Sequence, residues 1–323
     1  MHDRPVTRSS LVLSCAAASL LVLCAPGPNV SGNTSVACRP LTQQVASRPK
    51  GWPGTVFTIV MENESDGGIL GNSEAPFINH LASQGAIAAG YHDSYVHPSE
   101  PNYIWMVAGE NFGILDDSDP ASHSIDSQSH LVDEIEHEGL TWMTYQESMG
   151  QPCGLQSQGR YAAKHDPFVY FDDVNGWNGT QFLPSPRCVD HVVDYSRWAT
   201  DVSTGSIASY VFITPNLDDD MHDGTIAQGD AWLATEVPKI MATDAYQRGG
   251  VLFLLWDEGA NAADNPPFIA VSPNIKPGTV SQTDYDTSSF LLTVQKILGV
   301  QELPCSADPG SVKPMSDLFE TPL

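Results

Sequence analysis

Basic residues are scarce in this chain: 14 lysines and arginines stand against 39 aspartates and glutamates, a formal net charge of -25 over 323 residues. A surface of that sign repels phosphodiester backbones and anionic lipid, which argues against a nucleic-acid partner and leaves no basic footprint for a membrane. Cysteine is sparse as well, at six, and none of the separations matches a zinc knuckle, so a thiolate metal site is not expected. Long apolar runs are nearly absent. The exception, Leu11 to Ala25, follows Arg4 and Arg8 and stops at Pro26-Gly27-Pro28. It is short for a bilayer span and has the layout of an export signal, so the expectation is a secreted protein without stable membrane insertion. No internal repeat, low-complexity tract or interdomain linker is visible. The expected organisation is a signal region over 1–30, a leader over 31–54 and one folded domain over 55–323, which is long enough to bury a sizeable core.

What remains after the signal includes Cys38, Cys153, Cys188 and Cys305. Four cysteines in an exported chain suggest two disulfides, with three possible connectivities. The pairing expected is Cys153 with Cys188, stapling a local excursion, and Cys38 with Cys305, tying the ends of the domain together.

Two runs, Thr55 to Met61 and Val251 to Trp256, are almost wholly apolar and rich in β-branched residues. Such runs read as strands buried on both faces. Leu140–Tyr145 and Ile207–Ile213 read as further strands. Amphipathic stretches at Pro76–Gln84, Ser129–Glu138, Trp232–Thr243 and Ser288–Leu298 read as helices. The alternation predicts an α/β fold, a mostly parallel sheet covered by helices on both faces, with functional groups beyond the C-terminal ends of the strands. The stretch from about 146 to 195 carries too much Gly, Pro and Asn for regular structure and is expected to shape the mouth of a site.

Both apolar strands end on acids, Glu62-Asn63 and Asp257-Glu258. A parallel sheet can bring these ends to one edge, and carboxylates gathered so closely repel unless a proton or a cation intervenes. Oxygen ligands suit hard divalent ions such as magnesium, calcium or manganese, with zinc possible. Spacing alone leaves open whether they are ligands or simply acids that begin loops. In His97-Pro98-Ser99-Glu100-Pro101-Asn102-Tyr103, Ser99 fits the start of a helix, where unpaired N–H groups and the positive end of the dipole favour a phosphoryl group. Taken alone, Ser99 reads better as a cap than as a nucleophile. The loop Asn216 to Gly224 holds His222, which could donate to phosphate oxygens or protonate a leaving alkoxide, with Asp220 or Asp223 to orient its ring. A lone loop histidine is usually solvated, and the Asp-rich loop lacks the ligand spacing of an EF-hand. His165 is a candidate of the same kind, expected at the rim of the site.

Taken in order, Ile59-Val60-Met61-Glu62-Asn63, Ala75-Pro76-Phe77-Ile78-Asn79, His97 to Tyr103, Asp220-Met221-His222-Asp223-Gly224, Ile226 to Leu233 and Trp256-Asp257-Glu258 resemble the bacterial and fungal acid phosphatase and phospholipase C phosphoesterase family. The resemblance runs from about Thr55 to Leu298. It implies an alkaline-phosphatase-like three-layer α/β/α sandwich and a phosphoric monoester hydrolase acting on a small phosphorylated substrate, a class that includes phospholipid and phosphoinositide headgroups. Carried over residue by residue, it makes Glu62, Asn63, Asp257 and Glu258 the ligands of a divalent metal ion and Ser99 the nucleophile. His222 and Asp220 would be catalytic, with Asn102, His165 and Asp223 holding substrate. One departure is Glu64, where relatives commonly place Arg. Two rival readings keep the same residues. A phospholipase C or phosphodiesterase would need a broad apolar entrance, for which Trp105, Phe168, Phe171 and Trp177 are candidates. A non-catalytic, calcium-stabilised surface-binding protein would melt in a metal-dependent way without turnover.

Overall fold

The computed structural model describes residues 54–303 apart from 95 and 127, and residues 312–321 and 323. Eight strands form one sheet: β1 (Val56–Met61), β2 (Ala86–Ala88), β3 (Trp142–Gln146), β4 (Val192–Asp194), β5 (Tyr210–Thr214), β6 (Val251–Trp256), β7 (Phe268–Val271) and β8 (Thr279–Ser281). Their order across the sheet is β4-β3-β5-β1-β6-β7-β2-β8. Strand β7 is antiparallel to both its neighbours, β6 and β2, and every other pairing is parallel.

The central strands are apolar throughout because both of their faces are covered. Along β1, Val56 and Val60 enter one core while Phe57, Ile59 and Met61 enter the other, and β6 divides its side chains in the same way. The first core is closed by helices Ser99–Ala108 and Thr287–Leu298, the second by Pro76–Gln84 and Ile226–Met241. Helices thus lie on both faces of a mostly parallel sheet, the three layers expected. The predicted strand Ile207–Ile213 begins later, at Tyr210, and the helix expected from Trp232 begins earlier, at Ile226, with Pro238 inside it.

Gly85 follows the last residue of the Pro76–Gln84 helix. Its φ is -120°, outside the left-handed region, but a Cβ there would lie 2.3 Å from the Ala270 carbonyl oxygen on β7. It is glycine because helix and strand touch at that point. Cys153 and Cys188 form the expected disulfide, with Cα atoms 5.2 Å apart. Cys38 and Cys305 lie outside the described residues. Among the described residues no helix is long and apolar enough to cross a membrane.

Candidate active site at the carboxyl edge of the sheet

Parallel register does most of the assembly. Met61 on β1 is level with Trp256 on β6, so Glu62 and Asp257, the next residue on each strand, emerge side by side. The Asn63 N–H donates to Asp257 Oδ1 at 3.2 Å, and Asn63 itself takes a left-handed φ of 52°, which an asparagine tolerates better than most residues. On the other side of β1, the loop after β5 returns under Glu62, whose N–H donates to the Asp220 carbonyl at 2.9 Å. Glu62, Asp220 and Asp257 are all completely buried.

Ser99 is the first residue of its helix, with Pro98 at the cap position, and its hydroxyl caps nothing. Instead Ser99 Oγ donates to Glu62 Oε2 at 3.0 Å. The neighbouring helix N–H, that of Glu100, is taken by Asp117 Oδ1 at 3.1 Å.

His165 belongs to the floor of the site and not to its rim. It is 2% exposed because Ala163–His165 folds as a buried turn of the excursion and its ring stacks on Tyr103 with centroids 5.1 Å apart. Its Nε2 lies 3.2 Å from Glu62 Oε1 and its Nδ1 3.3 Å from Asp220 Oδ2. Neither contact has hydrogen-bond alignment: Glu62 Oε1, Asp220 Oδ2 and His165 Nε2 are buried without a hydrogen-bond partner, as is Asp257 Oδ2.

Asn102, expected to meet substrate, is buried and turned towards the protein. Its Nδ2 donates to the Val96 carbonyl at 2.6 Å and to Glu258 Oε2 at 3.0 Å. His97 Nδ1 approaches the same Glu258 oxygen at 2.9 Å. Asn102 therefore supports Glu258. His222 stands nearer the surface. Its Nδ1 pairs with Asp223 Oδ1 at 2.9 Å, its Nε2 faces Lys164 Nζ at 3.2 Å, and its N–H donates to Asp220 Oδ1 at 2.8 Å. The orienting partner of the ring is thus Asp223, whereas Asp220 fixes the backbone. Lys164, which no pattern in the sequence singles out, also donates to Asp117 Oδ2 at 2.7 Å.

The electrostatics follow from this crowding. Burial, then the charges of Asp257 and Asp220, push the Glu62 carboxyl well above its usual range. Burial pushes Asp220 and Asp257 up to about 7, and burial with the charges of Asp257 and Asp93 pushes Glu258 up to about 9. His165 is held well below the usual histidine range by burial, Lys164 and His222, so it is neutral and carries a free lone pair. Four unsatisfied buried polar atoms around mutually repelling acids are what a cation site leaves when protein atoms alone are counted. Ligand atoms of Glu62, His165 and His222 lie within 4.8 Å of one another, so Glu62 and His165 could hold a divalent metal ion, with His222, already paired to Asp223 and Lys164, beside it. The group joins imidazole nitrogen to carboxylate oxygen, which widens the fitting ions towards zinc and manganese.

A second acidic group, His130 with Asp133 and Asp173, differs in already having a cation of the protein among its carboxylates. Arg187 donates to Asp133 Oδ1 at 2.7 Å and to Glu136 Oε1 at 3.0 Å, and it also binds Asp173.

The α/β/α sheet, with acids at adjacent strand ends and a serine opening the facing helix, has the alkaline-phosphatase-like fold. Solved structures with this fold include an alkaline phosphatase superfamily protein from Vibrio parahaemolyticus, with a TM-score of 0.54 and 10% identity over 82% of this chain and 70% of that one. The phosphonate monoester hydrolase of Silicibacter pomeroyi is similar, with a TM-score of 0.54 and 10% identity over 82% of this chain and 76% of that one. Residues 66–301 match the model of the Phosphoesterase family, and the chain belongs to that family. It is 32% identical over 266 residues to a phosphatidylinositol-3-phosphatase of Mycobacterium tuberculosis, covering 82% of each chain. It is 28% identical over 281 residues to a probable acid phosphatase of Kluyveromyces lactis, covering 83% of this chain and 64% of that protein.

Proposed function

We propose that the protein is a secreted acid phosphatase that hydrolyses phosphate monoesters through a serine nucleophile assisted by a divalent metal ion. The observation that carries this reading is the Ser99 hydroxyl at the start of its helix, 3.0 Å from Glu62 Oε2, beside the unpartnered buried atoms of Glu62, Asp220, Asp257 and His165. Glu62 and Asp257, with Asn63 and Glu258 beside them and His165 opposite, would hold the ion. Bound there, it would lower the pKa of the serine hydroxyl and offset phosphate charge.

The rest falls to the chain itself. Glu62 orients the Ser99 hydroxyl. Ser99 Oγ passes its proton to Glu62 Oε2 and attacks phosphorus in line, the Oγ–P bond forms as the P–O bond to the leaving group breaks, and His222 delivers a proton to the departing oxygen. Water then attacks the phosphoserine and gives a proton to His222, the Oγ–P bond breaks, and Ser99 Oγ takes its proton back from Glu62 as phosphate leaves. Asp223 and Asp220 hold His222 in place through its ring and its backbone.

Support for a monoester substrate comes from the phosphatase relatives and from the walls of the site. Of the four aromatics that a phospholipase C reading would place at an apolar mouth, Phe168 and Phe171 are wholly buried in the core, the Trp105 indole is bonded to Ser288 at 2.8 Å, and Trp177 packs on Phe182 with centroids 4.7 Å apart, which favours the monoester. A phosphoinositide headgroup, the substrate named for the mycobacterial relative, is an eligible monoester. The export signal over 1–30, the leader over 31–54 and a single catalytic domain over 55–323 belong to the same reading.

The test is phosphate release from an aryl phosphate by wild type and Ser99→Ala, with and without chelation. Wild type is expected to lose activity on chelation and regain it with metal. Ser99→Ala is expected to fall by roughly 10³-fold or more while melting normally. A folded Ser99→Ala protein with unchanged turnover would sink the proposal.

A further inference from the structure

Lys164 has no assigned part in the chemistry, yet it is the cation set into the acidic site. Its neighbour in the sequence, His165, forms the floor between Glu62 and Asp220, and Lys164 itself reaches Asp117 Oδ2 at 2.7 Å and His222 Nε2 at 3.2 Å. Another cation of the excursion, Arg160, is held by carboxylates, at 3.0 Å from Asp218 and 2.8 Å from Asp223, the residue that orients the His222 ring. Exposure separates floor from mouth: the Glu62 and Asp220 side chains are 0% exposed, while those of Lys164, His222 and Asp117 are 19%, 27% and 28% exposed.

An organic substituent of a phosphoryl group held against the floor that leaves on the side of Lys164, His222 and Asp117 passes that mouth. A monoester sends one substituent through it and presents a further anionic oxygen beside it. A diester sends two, and the oxygen that would have met an ammonium is esterified and uncharged. We infer that Lys164 is the specificity-determining clamp of the site, binding the mouth-side oxygen of a dianionic phosphoryl group and so favouring monoesters over diesters, with Asp117 as the resting partner that the phosphoryl group displaces. This deepens the phosphatase reading and rests on it. An ammonium is suited to the exchange because it is a point charge on a flexible stem and moves from a carboxylate to a phosphate oxygen without a fixed fork geometry.

The experiment compares metal-loaded wild type, Lys164→Gln, Lys164→Arg and Asp117→Asn on an aryl phosphate and on the matching bis-aryl diester, and measures inorganic phosphate binding by its shift of the melting curve. Lys164→Gln is expected to lose roughly 10- to 150-fold in kcat/KM for the monoester, the range of one charged hydrogen bond. The diester is expected to change less than about 3-fold, as a substrate that never made the bond should, and phosphate binding should weaken. Lys164→Arg should restore most of the monoester rate. Asp117→Asn keeps an acceptor for the Glu100 N–H, releases the ammonium and should tighten phosphate binding. An equal fall for both esters, or phosphate affinity indifferent to Lys164 and Asp117, would overturn the clamp while leaving the phosphatase reading intact. A wild type without monoesterase activity but with phosphate binding lost in Lys164→Gln would overturn the phosphatase reading and leave the anion clamp standing.

Discussion

Asp257 is the residue whose replacement should speak most directly to metal binding. It is buried, has Oδ2 without a partner, and accepts from the Asn63 N–H through Oδ1. Asparagine keeps that acceptor and removes the charge, so Asp257→Asn is expected to fold while losing at least roughly 100-fold in metal affinity, as a metal titration followed by activity would show. At this scale the sequence was informative where chemistry sits directly after a strand or opens a helix. Glu62 and Asp257 could be placed because each directly follows a strand, and Ser99 because it opens a helix, whereas their roles, and the choice of Asp220 and His222 within the loop after β5, rested on the family resemblance. Lys164 could not, since its place depends on how an irregular excursion folds back over the sheet. His165 and Asn102 were visible as residues but not as to direction: the one is drawn inward by stacking on Tyr103, the other by its bond to Glu258.

Elements here are tied to one another by buried carboxylates. The Pro76–Gln84 helix has no side-chain cap of its own. Asp230, on the helix Ile226–Met241, accepts from its Phe77 and Ile78 N–H groups at 3.2 and 2.8 Å. Asp230→Ala leaves two donors short of a partner and is expected to cost about 1–3 kcal/mol. For a domain of this size that lowers Tm by roughly 2–4 °C per kcal/mol in a thermal scan. The excursion depends on its disulfide in a comparable way. Closing a separation of 35 residues contributes about 4 kcal/mol in the chain-entropy account, and the same segment carries Lys164 and His165. Reduction is therefore expected to lower Tm and phosphatase activity together, whereas Asp230→Ala should lower Tm alone. The long strands β1 and β6 were plain in the sequence because they are apolar on both faces. The short strands β2, β7 and β8 were not: three or four residues give no periodicity, and Phe268–Val271 lies so close to β6 in sequence that nothing marked it as the reversed strand.

Over the whole molecule, the clustered acids make stability depend on pH in an unusual direction. Asp220 and Asp257 have folded pKa values of about 7, against about 3.9 for an unfolded aspartate. Between those values the folded chain holds more protons than the unfolded one, so stability falls as pH rises. The protonated sites contribute fully below about 4, and that contribution is lost as pH passes through about 7. Chelated protein is thus expected to melt at lower temperature at pH 8 than at pH 5. Added metal, which favours the deprotonated acids, should raise Tm more at pH 8 than at pH 5. A chelated Tm that climbs across this range would show that these acids are stabilised in some other way.

The floor of the site joins segments from distant parts of the chain, as the bond between Asn63 and Asp257, 194 positions apart, makes plain. Glu62 leaves the ribosome early and has nothing to work with until β6 has been made and has slotted in beside β1. A partly synthesised or unfolded chain is therefore catalytically silent, and if export precedes folding, the producing cell never meets its own phosphatase in working form. The onset of phosphate release during refolding then serves as a clock for the moment at which β6 docks.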